Sequence, residues 1–217
     1  MKNIILILVA LILVSCDNSM IGKYKKEQLP SDFNYSITED NSNNALEKNQ
    51  LTIEINMKIT VGQIATLADE LYKSKPEQRR FYIFYNLKGM DTNKGAWATS
   101  HFDPELEIQI LGSTEEQDNK TANVSDISGE IIGKWRSESS LMGAVLVLYK
   151  DSNGKLNMKI TFKDGSSMTN EISEETKQNM KILKDGNSHG EYYIIEQNGN
   201  LGMYGNNGKF DEAKIIK

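Results

Sequence analysis

The sequence predicts an α+β N-terminal domain, ordered strand–helix–strand–strand–strand, followed by an all-β antiparallel meander closing into a small barrel or sandwich. Three observations carry this reading. Leu51, Ile53, Ile55, Met57 and Ile59 alternate with polar residues, the period of a strand with one buried face. The period then becomes helical at Ile64, Leu67, Ala68, Leu71 and Tyr72. Beyond residue 128 the helical period disappears, and Asp164-Gly165, Asp185-Gly186, Asn198-Gly199 and Asn207-Gly208 recur as hairpin-type dipeptides.

The chain opens with Lys2 and then an apolar run of eleven residues, Ile4 to Val14. A bilayer span takes about 20 residues, so this run is too short to cross, but it fits the apolar region of a signal peptide. It ends in Leu13-Val14-Ser15-Cys16. That ending resembles the lipobox of bacterial lipoproteins. The resemblance implies removal of residues 1–15, diacylglyceryl on the Cys16 sulfur and a fatty acyl group such as palmitate on its amine. It also implies a place in the cell envelope, on the inner or the outer membrane, with the membrane itself as a partner through the lipid. At about 0.8 kcal/mol per buried CH₂, two or three acyl chains hold a protein stably. Residues 16–34 are polar and read as a flexible tether, about 25 Å in average reach for some twenty residues.

The α+β domain is expected over 35–111. Tyr35 and Ile37 begin an edge strand, and the alternating run from Leu51 forms the next. Thr60 offers a helix N-cap, with Gln63 three residues on as its capping-box partner, and Pro76 stops the helix. Phe81 to Leu87, Trp97 to Phe102 and the alternating Leu106, Ile108 and Ile110 complete the strands. Residues 112–128 contain almost nothing apolar and read as an interdomain linker. The all-β domain occupies 129–217. Ile131 to Trp135 starts it, Val145 to Tyr149 is a near-continuous apolar strand, and Asp151-Ser152-Asn153-Gly154 turns into Leu156, Met158, Ile160 and Phe162. Six to eight short strands result.

Composition excludes several functions. The formal net charge is -5, and a mild acidic excess gives no electrostatic footprint for nucleic acid, which needs a clustered basic face, so no nucleic-acid partner is expected. Cys16 is the single cysteine, and once lipidated it leaves no thiol for a disulfide, a nucleophile or a zinc site. Gly199, Gly202, Gly205 and Gly208 precede Lys209, but Phe210 follows where a phosphate loop needs Ser or Thr. No Gly-x-Ser-x-Gly elbow occurs, Asp151 to Gly154 lacks the downstream glutamate of a calcium loop, and Glu174-Glu175 reads as a solvated pair. No cofactor, catalytic constellation or complete metal site is expected. His101 with Asp103, and His189 with Glu191, each place a histidine and a carboxylate two residues apart. In an extended segment such a pair shares one face and could supply half of a metal or ligand site; the alternative reading is surface turns.

Gly133-Lys134-Trp135 resembles the Gly-x-Trp of the first strand of lipocalin-like barrels. That resemblance implies a tryptophan closing one barrel end, in a domain shorter than a full lipocalin. The leading functional reading is a non-enzymatic, lipid-anchored interaction protein with a protein or envelope partner. The alternatives are a carrier of a small apolar ligand in the β domain and an envelope hydrolase. They differ in what they require: a carrier needs an apolar pocket of about 300 Å³ or more, and an enzyme needs convergent polar groups in a cleft.

Overall fold

A five-stranded sheet comes first, built from β1 (Tyr35–Asp40), β2 (Lys48–Ile55), β3 (Arg80–Leu87), β4 (Ala98–Phe102) and β5 (Leu106–Ile110), in that spatial order. The computed structural model describes residues 23–75, 79–123, 125–177, 180–186 and 189–216. The expected signal peptide, Cys16 and Pro76 lie outside them. β2 and β3 run parallel, and the other neighbours run antiparallel. A parallel pair needs a crossover, which α1 (Val61–Ser74) supplies. Thr60 caps it by accepting from the Gln63 amide, and the Gln63 side chain returns to the cap backbone. Ile59 before the cap and Ile64 in the first turn both enter the core, a hydrophobic staple. The alternation read to Ile59 therefore outlasts the strand, which ends at Ile55. Leu51, Ile53, Ile55, Phe81, Ile83 and Tyr85 share this core with Leu67 and Leu71 of the helix.

Residues 23–33, expected as tether, lie against this unit. Tyr24, Leu29 and Phe33 pack on its core, Lys26 Nζ meets Asp69 at 2.6 Å, and the Glu27 amide donates to the Gly62 carbonyl at 3.2 Å. Three apolar side chains in a polar stretch are enough to dock it, a detail that average composition hides.

The second unit is a closed barrel of eight strands: β6 (Gly129–Ser137), β7 (Ala144–Asp151), β8 (Leu156–Thr161), β9 (Ser167–Lys177), β10 (Met180–Asp185), β11 (Tyr192–Ile195), β12 (Leu201–Gly205) and β13 (Gly208–Ile215). Each strand pairs antiparallel with the next, and β13 closes on β6. Closure satisfies the two edges that an open meander would expose. The predicted turns lie at strand ends: Gly154, Gly165, Gly199 and Gly208 take positive φ, whereas Gly186 of the predicted Asp185-Gly186 turn does not. Asp151 of the calcium-like segment accepts from the Asn153 and Lys155 amides and so builds its own turn. Inside, Trp135, Leu146, Leu148, Met158, Ile172, Leu183, Leu201 and Ala213 form the core.

The stretch expected as a linker contains a second helix, α2 (Glu115–Thr121), capped by Thr114 and Gln117 in the same box pattern as α1. It carries Asp118 into a cluster that joins the two units. Lys58 Nζ meets Asp118 Oδ2 at 2.6 Å and Glu138 Oε1 at 2.9 Å, and Arg136 meets Asp118 Oδ2 at 3.2 Å. Ser113 Oγ donates to Asp118 Oδ1 at 2.6 Å. Lys58, Asp118 and Arg136 are each only 12–13% exposed, so this is a largely desolvated node and not a surface pair. Outward-facing Val145 and Val147 of β7 are also buried, as covered barrel-wall residues must be.

Candidate functional site

Eight strands give a barrel whose interior is wide enough to be filled by side chains or to hold one small ligand. Here the two ends differ. At one end the Trp135 indole lies on Gly133, where an added Cβ would come within 2.2 Å of the ring. Its Nε1 donates to the Gly199 carbonyl in the β11–β12 turn at 2.8 Å. At this end a tryptophan that is only 1% exposed is thus tied across to the neighbouring turn.

The opposite end is open and holds a cavity of about 740 Å³. Alternation along the strands dictates its lining. On β8, Ile160 follows Met158 inward; on β9, Met168 and Asn170 pair across from them. β12 contributes Met203 and β11 contributes Tyr193, which are paired neighbours. Leu141, Phe162 and Phe210 form the wall, with Phe210 and Met168 39% and 44% exposed at the rim. Leu141 stands on the β6–β7 loop, which is pinned from below. Ser137 Oγ donates to buried Asp211 at 2.6 Å, and the Ser140 amide donates to the same carboxylate at 3.2 Å. The first unit holds this loop from outside through Lys58 on Glu138. Gly143 passes so close to Ser113 that a Cβ there would lie 2.0 Å from its Oγ.

The polar side chains of the lining include Thr169, Asn170 and Glu171 of β9, with Asp185 of β10 and with His189 and Glu191 before β11. Asp185 pairs with inward-facing Ile172 in the β9–β10 register and accepts from Asn170 Nδ2 at 2.8 Å. Glu191 precedes inward-facing Tyr193 by two residues. Burial first, and then the Asp185 and Glu191 carboxylates, push the Tyr193 phenol up to about 12. It therefore stays a neutral hydroxyl throughout the ordinary pH range.

The two histidine–carboxylate pairs end up in different places. His189 and Glu191 both line the barrel mouth. His101 lies on β4 of the first sheet, opposite Glu107 and stacked on Tyr82 with ring centroids 5.8 Å apart, and Asp103 follows that strand. Among the described residues no group of three or more His, Cys, Asp or Glu side chains is placed to hold a metal ion. Sequence reasoning missed the apolar wall, above all Leu141, Met168 and Phe210, which stand in loops or at strand ends where no period is long enough to read. It also took Asp185 for a turn residue. The phase of Leu183 two positions earlier would have placed Asp185 inside.

A second cavity of about 660 Å³ lies in the first unit, lined by Pro30, Met57, Ile59, Val61, Ile110 and polar residues of α1 and α2. Here Glu27 already bonds Thr60, the cap of α1. Comparison with known proteins gives no matching family model, curated protein or solved structure. The functional reading therefore rests on the site's own geometry.

Proposed function

We propose that this chain is an envelope protein, lipid-anchored through Cys16, whose barrel binds a small ligand with an apolar body. The observation that carries the reading is the barrel-mouth cavity. Its volume of about 740 Å³ falls in the range of about 300–1,000 Å³ typical of small-molecule sites. Apolar walls with a few polar groups are the composition such sites need: the walls supply hydrophobic transfer and the polar groups fix orientation. Buried Trp135, bonded to the Gly199 carbonyl at the other end, supports reading the barrel as a cup and not a channel. The Gly-x-Trp resemblance to lipocalin-like barrels points the same way, although here the cavity is confined to one end. An interaction protein, the leading expectation from sequence, requires no such cup.

Two measurements test the proposal. In the mature chain carrying Cys16→Ser, the neutral fluorophore N-phenyl-1-naphthylamine should bind saturably, one per chain, with a rise in emission. Adding Met168→Trp should abolish that rise, because the indole enters the cavity from an exposed position that tolerates bulk. Non-saturable binding, or binding indifferent to Met168→Trp, would remove the cup from the account. For the anchor, Cys16→Ser in cells should eliminate incorporation of a fatty-acid label, and undiminished labelling would refute it.

A further inference from the structure

We infer that the Tyr193 hydroxyl is the hydrogen-bond donor that orients the ligand, and that the ligand therefore carries an uncharged carbonyl-type oxygen on its apolar body. The inference rests on the ligand-binding reading above and names the chemistry of the same site.

Tyr193 takes the inward phase of β11. Its register neighbours are Leu183 on β10 and Met203 on β12, both buried in the barrel core. It is only 7% exposed, and it lines the cavity. A phenol buried to that degree ordinarily finds a partner for its O–H. Tyr85 of the first unit does so, sharing a hydrogen bond with Ser100 Oγ at 2.8 Å. The Tyr193 hydroxyl makes no hydrogen bond among the described residues. Nor is it walled in, since the fully enclosed polar atoms without a partner are Arg80 Nε, Asn86 Oδ1, Arg136 Nε and Glu138 Oε2. It opens on the cavity.

Other polar side chains on the lining strands are occupied or turned away. Asn170 donates to Asp185 at 2.8 Å. Thr169 and Glu171 alternate with inward-facing Asn170 and Ile172, so they take the outward phase of β9. Tyr192 takes the outward phase of β11 and stacks on Tyr204, with ring centroids 5.2 Å apart. Two conditions then define what Tyr193 meets. Burial first keeps its proton on, so the ligand must present an acceptor. Among the described residues no lysine or arginine lines the cavity, so an anionic acceptor would be desolvated without such a countercharge. A ketone, ester or amide oxygen satisfies both conditions.

The test exchanges one oxygen for a methylene. 2-Acetylnaphthalene and 2-isopropenylnaphthalene share one shape and differ as C=O against C=CH₂. Each displaces N-phenyl-1-naphthylamine from the mature chain carrying Cys16→Ser, with and without Tyr193→Phe, after the fluorophore's own affinity for each variant is measured. Tyr193→Phe should lower the affinity ratio of ketone to hydrocarbon about fivefold, the worth of one neutral hydrogen bond, while hydrocarbon binding holds. The melting temperature should hold or rise, because the lost hydroxyl bonds no protein group. A ratio indifferent to Tyr193→Phe overturns the inference and leaves the cup standing. A fall in melting temperature would show that the hydroxyl serves the fold, and overturns it too. If the fluorophore binds saturably but neither compound displaces it, the inference fails alone. If the fluorophore does not bind saturably, the ligand-binding reading fails and takes the inference with it.

Discussion

Asp118→Ala should destabilise the protein by about 3–5 kcal/mol, the range seen when one partner is removed from a buried ion pair. At about 2–4 °C per kcal/mol for a chain of this size, the melting temperature should fall by about 10 °C. The size of the effect comes from what is left behind. Lys58 and Arg136 converge on Asp118, and each is only 12–13% exposed. Without Asp118, Lys58 keeps only Glu138 as a carboxylate partner, Arg136 loses its carboxylate partner, and Ser113 loses its acceptor. The exposed pair Lys155–Glu171 provides the contrast. Its side chains are 58% and 64% exposed, so Lys155→Ala should leave the melting temperature unchanged. Thermal unfolding of the two variants beside the parent checks both expectations. Because Lys58 and Ser113 also brace the β6–β7 loop, Asp118→Ala should weaken binding of the naphthyl probe at temperatures where the variant remains folded.

Trp135→Ala should cost a further about 3–5 kcal/mol in its own right, through lost apolar burial and the cavity left behind. Trp135 is 1% exposed, covers Gly133 and donates to the Gly199 carbonyl, so its removal both hollows that end of the barrel and orphans an acceptor. Trp135→Phe separates these contributions. It keeps an aromatic ring on Gly133 and loses the hydrogen bond, with an expected loss of about 1–3 kcal/mol for the unsatisfied carbonyl. Denaturant unfolding of both variants measures the difference. Equal losses for Ala and Phe would mean that the hydrogen bond, and not the ring, holds the barrel end.

The fold was legible in the sequence wherever a period ran long enough or a turn needed a special residue. Met158 and Ile160 of β8 announce a half-buried strand, and the Asx-Gly dipeptides mark barrel turns because glycine accepts positive φ without strain. α2 escaped because its surface is polar, and a seven-residue helix has no apolar stripe to detect. Its signal was present as Thr114 and Gln117, the pattern already recognised at Thr60 and Gln63. The node around Asp118 was not legible at all, since it joins residues 60 positions apart in the case of Lys58 and Asp118. The site was half legible. His189 and Glu191 stood out by spacing and do line the mouth, whereas His101 and Asp103, chosen by the same rule, lie on and just after β4 of the first unit. Spacing of two reports a shared face and says nothing of whether that face meets a cavity.

The claim at the centre of this account is that the open end of the barrel is where a ligand sits. Photoaffinity mapping tests it most directly, using a neutral ten-carbon alcohol with a diazirine at its tail, so that the outcome does not depend on head-group charge. After irradiation with the mature chain, the label should map to peptides containing Ile160, Met168 and Met203, and excess 1-decanol should compete it away. Label on the first sheet around Tyr82 and His101, on the α1–α2 cavity around Val61, or label that excess decanol leaves in place, would contradict the account.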